Sequence, residues 1–239
     1  MIHILLAAYN ESAALAAVIE GVARAFADGD WTLWVVDDGS TDGTAEVARD
    51  HAGRFPVRVV RHAANQGLGA ALRTGFSTIG AVLGPRDILV TLDADNTHPP
   101  AQIPSLVAPI EAGDADIVIA SRFRPGARVV GVPWHRRLLS RAAEVVFRWG
   151  VPVPGVRDYT CGFRAYAAAI VRTMSAEALI REDGFSAQAE ILIRLARRGA
   201  RVTEIPLVLR YDRKQGESKM RVFRTVARTL GLVRRLRRL

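Results

Sequence analysis

The chain has 239 residues, of which 49% are apolar and 24% charged, so it can form one large domain with its own core. Its single cysteine, Cys161, excludes an internal disulfide framework and a cysteine-based zinc site. The formal charge of +9 lies entirely near the end, because residues 1–212 carry 23 basic and 23 acidic side chains and residues 213–239 carry ten basic and one acidic.

The first residues, M-I-H-I-L-L-A-A-Y-N-E, lack the basic flank of a signal peptide and predict a first strand. No uninterrupted apolar run approaches the ~20 residues that span a bilayer. We therefore expect a protein that is soluble or lies on a surface.

The first half of the sequence alternates between predicted strands and predicted helices. Strands are predicted over 2–7, 31–36, 57–61, 87–92 and 116–120. Helices are predicted over 12–27 with Ser12 as the cap, over 43–52 with residues 40–42 as the cap, and after N-Q-G-L-G, where glycines 67 and 69 would let the backbone approach a ligand. This alternation predicts a mostly parallel α/β sheet with helices on both faces.

The second half is arginine-rich and less regular. Residues 122–148 contain seven arginines and one acid, Glu144, and a helix is predicted over 134–149. A loop R-D-Y-T-C-G-F-R, a helix over 185–198, two short strands around Pro206 and a basic tail follow. Without repeats or a clear linker, the chain is predicted to form one domain.

An acid pair follows the most apolar predicted strand. The run D-I-L-V-T-L-D-A-D-N-T-H-P-P ends in Asp93 and Asp95, at the carboxyl end of the strand where ligands bind in open α/β sheets. Two converging carboxylates favour a divalent cation, Mg²⁺ or Mn²⁺, that bridges to ligand phosphates. The alternative is a simple Asx-turn, which requires only one aspartate.

Acidic residues also follow the first two strands, at Glu11 and at Asp37–Asp38, and parallel strands bring all three loops to one edge. Neither G-x-G-x-x-G after strand one nor G-x-x-x-x-G-K-[ST] occurs, which argues against dinucleotide-binding and P-loop sites. Acids for a ribose and base, together with a metal-binding pair, suit a nucleoside diphosphate ligand.

Several motifs occur in a familiar order: A-A-Y-N-E, V-V-D-D-G-S-T-D-G-T, N-Q-G-L-G-A-A, L-D-A-D-N-T-H-P-P, S-R-F, D-Y-T-C-G-F-R and G-E-S-K-M. Over residues 2–219 they resemble family-2 glycosyltransferases, in particular the dolichyl-phosphate mannosyltransferase branch that transfers a sugar to a polyprenyl phosphate. The resemblance implies a GT-A-type nucleotide-sugar-binding fold and inversion at the anomeric carbon.

The resemblance also assigns residues to roles. The residues that it implies for nucleotide-sugar binding are Ala8, Tyr9, Glu11, Asp38, Asp93, Ala94, Asp95, Arg213 and Lys219. Among them, Asp93 and Asp95 are expected to bind the metal, and Arg213 and Lys219 to neutralise the departing diphosphate. Arg122, Arg136 and Ser140 are expected to bind the acceptor phosphate, and Asp95 and Arg122 are the expected catalytic residues. The sequence departs from the family at Ala8, where a proline is usual, and at Thr97, where many relatives have a glutamine that assists the metal.

A phosphate acceptor also fits the chemistry. A sugar hydroxyl would need a general base near neutral pH, whereas a phosphate monoester, with a second pKa near ~6, is already a dianion. It needs positive charge beside a second polyanion, and the arginines of 122–148 can supply that charge. The alternative is that these arginines form a solvated basic face.

Three further residues allow two interpretations each. Asp158, with the T-C-G-F turn, is either near the acceptor, which is favoured, or structural. His98 is either a third metal ligand or a packed histidine beside a helix-initiating proline pair, and the second is favoured. Glu190 is predicted on a core-facing helix and can reach the site.

The tail over 220–239 places apolar residues at helical spacing between arginines, which predicts a basic amphipathic helix. We expect it to attach the protein peripherally to the cytoplasmic face of a membrane, possible alternatives being a helix packed on the domain or a separate membrane partner. Residues 1–121 form the predicted nucleotide-sugar half and 122–219 the acceptor half.

Together with these features, the resemblance implies an enzyme that transfers a hexose to a polyprenyl phosphate, with mannose from GDP-mannose as the expected sugar and donor. The alternatives are a UDP-glucose-dependent polyprenyl-phosphate glucosyltransferase and a non-catalytic nucleotide-sugar-binding protein. A sugar nucleotidyltransferase would need a glycine-rich basic loop after the first strand, and this sequence has none. No nucleic-acid partner is expected, because the tail contains only Phe223 as an aromatic and no recognisable module.

Overall fold

A computed structural model describes residues 1–26, 29–173, 175–184, 186–214 and 222–237, with the backbone alone for 222–228. The strands are β1 (Ile2–Ala8), β2 (Trp31–Asp37), β3 (Val57–Arg61), β4 (Ile88–Asp93), β5 (Ile117–Ser121), β6 (Arg128–Val130), β7 (Arg164–Ala167), β8 (Val202–Pro206) and β9 (Val208–Arg210). The helices are α1 (Ser12–Ala25), α2 (Thr44–Ala52), α3 (Leu68–Gly80), α4 (Ile103–Glu111), α5 (Trp134–Gly150), α6 (Ala168–Val171), α7 (Ala176–Leu179), α8 (Ala187–Ala196) and α9 (Val222–Leu236). Short 3₁₀ turns cover Pro100–Gln102 and Tyr211–Arg213.

Seven strands form one sheet in the order β3-β2-β1-β4-β7-β5-β8, and β6 pairs with β9 in a small parallel sheet. Every pairing in the large sheet is parallel except those of β7, which runs antiparallel between β4 and β5. The predicted α/β architecture with a mostly parallel sheet is confirmed.

Both faces of the central strands are covered. Ile4, Leu5 and Leu6 are consecutive in β1 and point alternately to opposite faces, yet each is at most 1% exposed. Buried parallel strands of this kind have apolar side chains on both sides, which is why β1, β2 and β4 were recognisable as continuous apolar runs.

The antiparallel strand β7 and the short elements β6, α6 and α7 were not predicted. The reason for missing β7 is its charge: Arg164 is fully buried in it and donates to the carbonyls of Gln188 (2.5 Å) and Tyr159 (2.7 Å). A buried arginine interrupts the apolar pattern that identifies a core strand.

The helix starts differ from prediction at two caps. The cap position of α2 is Gly43, with φ of 85° and no capping side chain, and not one of residues 40–42. Glu11, not Ser12, occupies the cap position of α1, and no side chain makes a capping hydrogen bond there. The Ser12 hydroxyl instead donates to Asp42 (2.9 Å), which also accepts from the Thr44 amide (3.1 Å) and so holds the first turn of α2.

The glycines of N-Q-G-L-G serve packing within the chain and not the predicted approach of a ligand. The Gly69 amide donates to the Asp183 carbonyl (3.1 Å). A Cβ atom at Gly69 would lie 1.7 Å from the Glu182 carbonyl oxygen, and Gly67 has φ of 95°. The start of α3 therefore requires glycine because the segment 182–183 crosses directly over it.

Candidate active site

Strand register brings the predicted acids to one edge of the sheet. Ala8 pairs with Asp37, and Ala7 pairs with Asp93, so β1, β2 and β4 end side by side. Ala8 is buried, whereas Tyr9 and Glu11 are half-buried in the loop that follows it. This common edge is where ligands bind in open α/β sheets.

Asp38 organises the loops of this edge. Its carboxylate accepts from the His62 ring (2.7 Å), from the Asn65 side-chain amide (2.9 Å) and from the backbone amides of Gln66 (3.0 Å) and Gly67 (2.7 Å). The residue is only 3% exposed. Its internal hydrogen bonds fix the loop before α3, and the predicted contact with a nucleotide stays a prediction.

Asn10 is a residue that the sequence did not single out. It adopts the left-handed backbone region with φ of 51°, which asparagine tolerates better than most residues. Its amide donates to the Ser40 hydroxyl (2.9 Å), and its side-chain oxygen accepts from the Thr41 amide (2.9 Å). Asn10 thereby ties the Tyr9–Glu11 loop to the loop that follows β2.

Asp93 and Asp95 stand at the end of β4, separated by Ala94, which is buried. The Asp93 side chain is 47% exposed and faces the open edge, while the Asp95 side chain is only 13% exposed. The Thr97 hydroxyl donates to one oxygen of Asp95 (2.7 Å). Thr97 thus orients Asp95 from the position where the family often has a glutamine.

The other oxygen of Asp95 contacts the ammonium group of Lys214, which the sequence analysis did not assign to the site. Burial raises the pKa of Asp95, but the charge and hydrogen bond of Lys214 and the bond from Thr97 outweigh it and lower the pKa. Glu11 and Asp93 also act electrostatically on Lys214. Lys214 therefore lies among three carboxylates. One available signal was its rarity, since the chain has only two lysines.

The donor set fits a divalent cation whose coordination is completed from outside the protein. Two carboxylates act on the same Lys214 ammonium, Asp95 by direct contact and Asp93 through its charge, so this position already holds a positive charge. Among the described residues, no group of three or more histidine, cysteine, aspartate or glutamate side chains could hold a metal. Phosphate oxygens and water would therefore supply the remaining ligands.

His98 is a packed histidine, as the favoured interpretation held. Its ring stacks on Phe163 with centroids 5.2 Å apart, and its Nδ1 accepts from the Asp93 amide (3.3 Å). Only 4% of the residue is exposed. His98 supports the end of β4 from inside the core.

Arg122 follows β5 and is held in a two-pronged ion pair with Asp158. Its Nε donates to one carboxylate oxygen (2.8 Å) and its Nη2 to the other (2.6 Å), with a further bond from Nη2 to the Thr160 hydroxyl (2.6 Å). Asp158 is fully buried, which raises its pKa, but the charge and hydrogen bonds of Arg122, together with the charge of Arg164, outweigh burial and lower the pKa. Asp158 is therefore structural in its contacts and fixes the orientation of Arg122.

Glu204 of β8 stabilises the loop that carries Asp158. One of its carboxylate oxygens accepts from the backbone amides of Arg157 (2.8 Å) and Asp158 (2.7 Å), and the other lies 3.1 Å from the Arg124 Nε. No sequence motif pointed to Glu204, which lies in a short strand late in the chain. It secures the loop that carries Asp158.

A cavity of about 220 Å³ adjoins Arg122 on the side of α5. Ser140 accepts from the Arg122 Nη1 (3.2 Å), so the predicted acceptor residues Arg122 and Ser140 come together. The third, Arg136, lies over the Tyr211 ring and does not line the cavity. The cavity is lined by Arg122, Phe123, Val129, Val132, Arg137, Ser140, Arg141 and Leu209.

The remaining predicted residues fall near or beyond the described region. Arg213 is exposed on the 3₁₀ turn Tyr211–Arg213. Lys219 lies outside the described residues. Glu190 is fully buried and accepts from the backbone amides of Arg181 (2.7 Å) and Glu182 (2.8 Å), so it braces the segment that covers the start of α3.

Cys161 is 4% exposed, and burial raises the pKa of its thiol to about 12. Because the thiolate is the reactive form, iodoacetamide at about pH 8 should alkylate the folded protein at least about a hundredfold more slowly than the protein in guanidinium chloride. Mass spectrometry of timed samples measures both rates. Equal rates would contradict the buried, protonated thiol.

In the part of the chain that the structure describes, no helix is long and apolar enough to cross a bilayer. The described apolar residues of α9 are largely buried: Leu232 and Leu236 are 0% and Val233 is 7% exposed. Arg237 donates to the carbonyls of Trp149 (3.1 Å) and Gly150 (2.8 Å). These contacts favour the alternative in which the helix packs on the domain.

The fold and the acid-bearing sheet edge define a GT-A-type glycosyltransferase. Crystal structures of glucosyl-3-phosphoglycerate synthase from Mycobacterium tuberculosis have this fold. The complex with phosphoglyceric acid matches with a TM-score of 0.72 at 22% identity, covering 98% of this chain and 79% of that one. The complex with Mn²⁺, UDP and glucosyl-3-phosphoglycerate matches with a TM-score of 0.68 at 21% identity, covering 99% and 79%.

The family model for glycosyl transferase family 2 matches residues 3–179, and the chain belongs to this family. It is 36% identical over 213 residues to the undecaprenyl-phosphate mannosyltransferase of Micrococcus luteus, covering 89% of this chain and 84% of that protein. It is 36% identical over 190 residues to the polyprenol monophosphomannose synthase of Mycolicibacterium smegmatis, covering 79% and 69%. The dolichol-phosphate mannosyltransferase of Pyrococcus furiosus is 32% identical over 221 residues, which are 92% of this chain and 59% of that protein.

Proposed function

We propose that this glycosyltransferase transfers a mannosyl group from GDP-mannose to a polyprenyl phosphate, with inversion and with Mg²⁺ or Mn²⁺. The observation that carries the proposal is that Arg122, which lines the cavity beside α5, and Asp93, of the Asp93–Asp95 pair, are close enough to act on each other electrostatically. The two regions that would bind phosphate groups are therefore neighbours. The relatives named as polyprenyl-phosphate mannosyltransferases support the acceptor and the sugar.

On the donor side, Tyr9 and Glu11 lie at the sheet edge beside the loops that Asp38 holds, where they would bind the base and ribose. Asp93 and Asp95 would hold the metal, which neutralises the donor diphosphate and makes it a better leaving group. Lys214, already among the acids, is placed to pair with the diphosphate once the metal occupies Asp95. Arg213 and Lys219 stay predicted contributors to the same charge.

On the acceptor side, Arg122 would bind the phosphate of the polyprenyl chain, together with the Ser140 hydroxyl. Burial lowers the pKa of Arg122, but the charge and hydrogen bond of Asp158, together with the charge of Asp93, outweigh this effect and raise the pKa, so the guanidinium stays charged. Its bidentate pairing with Asp158 fixes its orientation before substrate arrives.

The reaction needs no general base from the protein. The acceptor phosphate is largely a dianion at neutral pH, and its oxygen attacks the anomeric carbon as the bond to the diphosphate breaks. Direct displacement from the opposite side inverts the configuration. The chain's contribution is to hold two polyanions in line, by positive charge on each side.

A direct test offers labelled GDP-mannose or UDP-glucose with Mn²⁺ and a short polyprenyl phosphate, and follows the label into the organic phase. Transfer from GDP-mannose is expected, and Asp95→Asn should lower it about a thousandfold, because the metal contributes several kcal/mol to the transition state. Asp50→Asn, at an exposed aspartate at the end of α2, is the matched control and should leave transfer unchanged.

The outcomes separate the alternatives. Transfer from UDP-glucose alone would replace the donor in this proposal by the second candidate. Nucleotide binding without a lipid product from either donor would contradict an enzyme of this specificity and favour a nucleotide-sugar-binding protein. We also place the protein peripherally at the cytoplasmic face of the membrane, where a polyprenyl phosphate acceptor would be presented.

A further inference from the structure

The helix α5 exposes a row of large apolar side chains. Trp134 is 76% exposed, Leu138 60%, Val145 53% and Trp149 79%. At about 100° per residue these positions fall within about 60° of the helix circumference, so they form one continuous stripe. Among the described residues these four are half of all the large apolar side chains that are exposed. Single exposed residues need no explanation, but a stripe of this kind marks an interaction surface.

This stripe, named here the α5 face, has positive charge along one side. Arg137, Arg141 and Arg148 project from the same helix within about 60° of it and are exposed. The only acid of α5, Glu144, is 8% exposed and pairs with Arg157 (3.1 Å) and with Arg148 (3.5 Å). The α5 face therefore combines apolar surface with positive charge, chiefly that of Arg137 and Arg141, which is complementary to an anionic lipid surface.

The aromatic residues stand at the ends of the stripe. Trp134 and Trp149 are separated by fifteen residues, or about 22 Å of helix. Tryptophan favours the boundary between lipid headgroups and acyl chains, where its ring is buried and its N–H stays hydrated. A helix lying flat in that boundary would place both indoles, Leu138 and Val145 at the same depth.

The α5 face is continuous with the proposed acceptor cavity. Arg137, Ser140 and Arg141 of α5 line the cavity that contains Arg122. The same helix thus carries the cavity wall and the apolar stripe. A lipid whose phosphate binds at Arg122 would have its chain directed along α5.

The C-terminal helix supports α5 and leaves the α5 face uncovered. A Cβ atom at Gly150 would come within 2.4 Å of the Val233 side chain, so α9 packs closely against the end of α5. The buried residues Leu232 and Leu236 use the apolar side of α9. Among its described side chains, Leu230 is the large apolar one that is exposed, at 54%.

We propose that the α5 face, and not the apolar side of α9, is the surface that lies in an anionic membrane, with the mouth of the arginine-lined cavity turned to the lipid. The contact rests on the exposed stripe and its arginines, and it requires no turnover. It can therefore be tested apart from the proposed function.

The test uses the full chain with vesicles of phosphatidylcholine containing about 30% phosphatidylglycerol. Of the four tryptophans, Trp31 and Trp34 are buried, so fluorescence changes on lipid binding report Trp134 and Trp149. Lipids brominated in the acyl chains should quench the wild type. The variant Leu138→Ser/Val145→Ser should bind these vesicles about thirtyfold more weakly, because two apolar side chains no longer enter the lipid.

Leu230→Ser is the matched control, because it removes a comparably exposed apolar residue from α9, and it should bind like the wild type. Both variants alter exposed positions and should keep the circular dichroism of the wild type. Transfer to a short acceptor in detergent should persist in Leu138→Ser/Val145→Ser, which separates loss of lipid contact from loss of activity.

Three results would overturn the proposal. The first is wild-type protein that does not bind the anionic vesicles or binds without quenching. The second is an equal loss of binding in Leu230→Ser, which would assign the contact to α9. The third is a dimer in light scattering that Leu138→Ser/Val145→Ser dissociates, which would assign the α5 face to a second copy of this chain.

Discussion

Replacing Arg122 by alanine is expected to stop transfer and also to destabilise the fold, and the two effects can be separated. The change leaves the fully buried Asp158 carboxylate without its cation, which costs about 3 kcal/mol of unfolding free energy. The double variant Arg122→Ala/Asp158→Asn removes both charges and should recover most of that loss, because the amide can still accept from the Thr160 and Cys161 backbone.

Activity should not follow stability in this pair. Both variants lack the guanidinium that would bind the acceptor phosphate under the proposed function, so transfer should fall at least about a hundredfold in each, while the affinity for the nucleotide sugar changes little. Denaturant unfolding gives the stability, nucleotide titration the donor affinity, and label in the organic phase the transfer.

Arg128→Ala is the control for the view that the arginines of 122–148 only form a solvated basic face. Arg128 is exposed in the same segment and does not line the cavity, so its loss should leave transfer near the wild-type rate. Equal losses in Arg122→Ala and Arg128→Ala would support the solvated face. Recovery of transfer in the double variant would show that Arg122 acts only through the stability of the fold.

The parts of the fold that local patterns determine were predictable. The strands β1, β2 and β4 are apolar runs, of which β2 and β4 end in acids, and parallel pairing then places Asp37 and Asp93 at one edge without further information. By contrast, β7 enters between β4 and β5 from much later in the chain and contains the buried Arg164. Its stability depends on partners that are remote in sequence, so no local period could identify it.

The same distinction holds for the site. Asp95 could be located because it directly follows a strand, but its contact with Lys214 joins residues 119 positions apart. The glycines at 67 and 69 were correctly seen as points of close approach, yet the approaching group is the segment 182–183 and not a ligand. A glycine motif indicates that some group packs closely against the backbone there, and only the tertiary structure shows which group it is.

The second large expected effect is a change in metal affinity when Lys214 is replaced by alanine. Its ammonium contacts the Asp95 oxygen that a divalent cation would bind, and the three neighbouring acids raise its pKa above the usual value against the opposing effect of burial. A metal must therefore displace this ammonium. In Lys214→Ala that competition is gone, and the half-saturating Mn²⁺ concentration, measured without substrate, should fall about fivefold to tenfold.

Transfer by Lys214→Ala should nevertheless be slower, by about a hundredfold. Once a metal binds Asp95, the Lys214 ammonium would pair with the departing diphosphate, and the variant lacks that positive charge. Tighter metal binding combined with slower transfer is a combination that simple damage to the site would not produce. Arg213→Ala, at the exposed neighbouring position, is the control and should leave Mn²⁺ affinity unchanged. Weaker or unaltered Mn²⁺ binding in Lys214→Ala would show that the lysine does not occupy the position of the metal, and that Asp95 is paired with it for structural reasons alone.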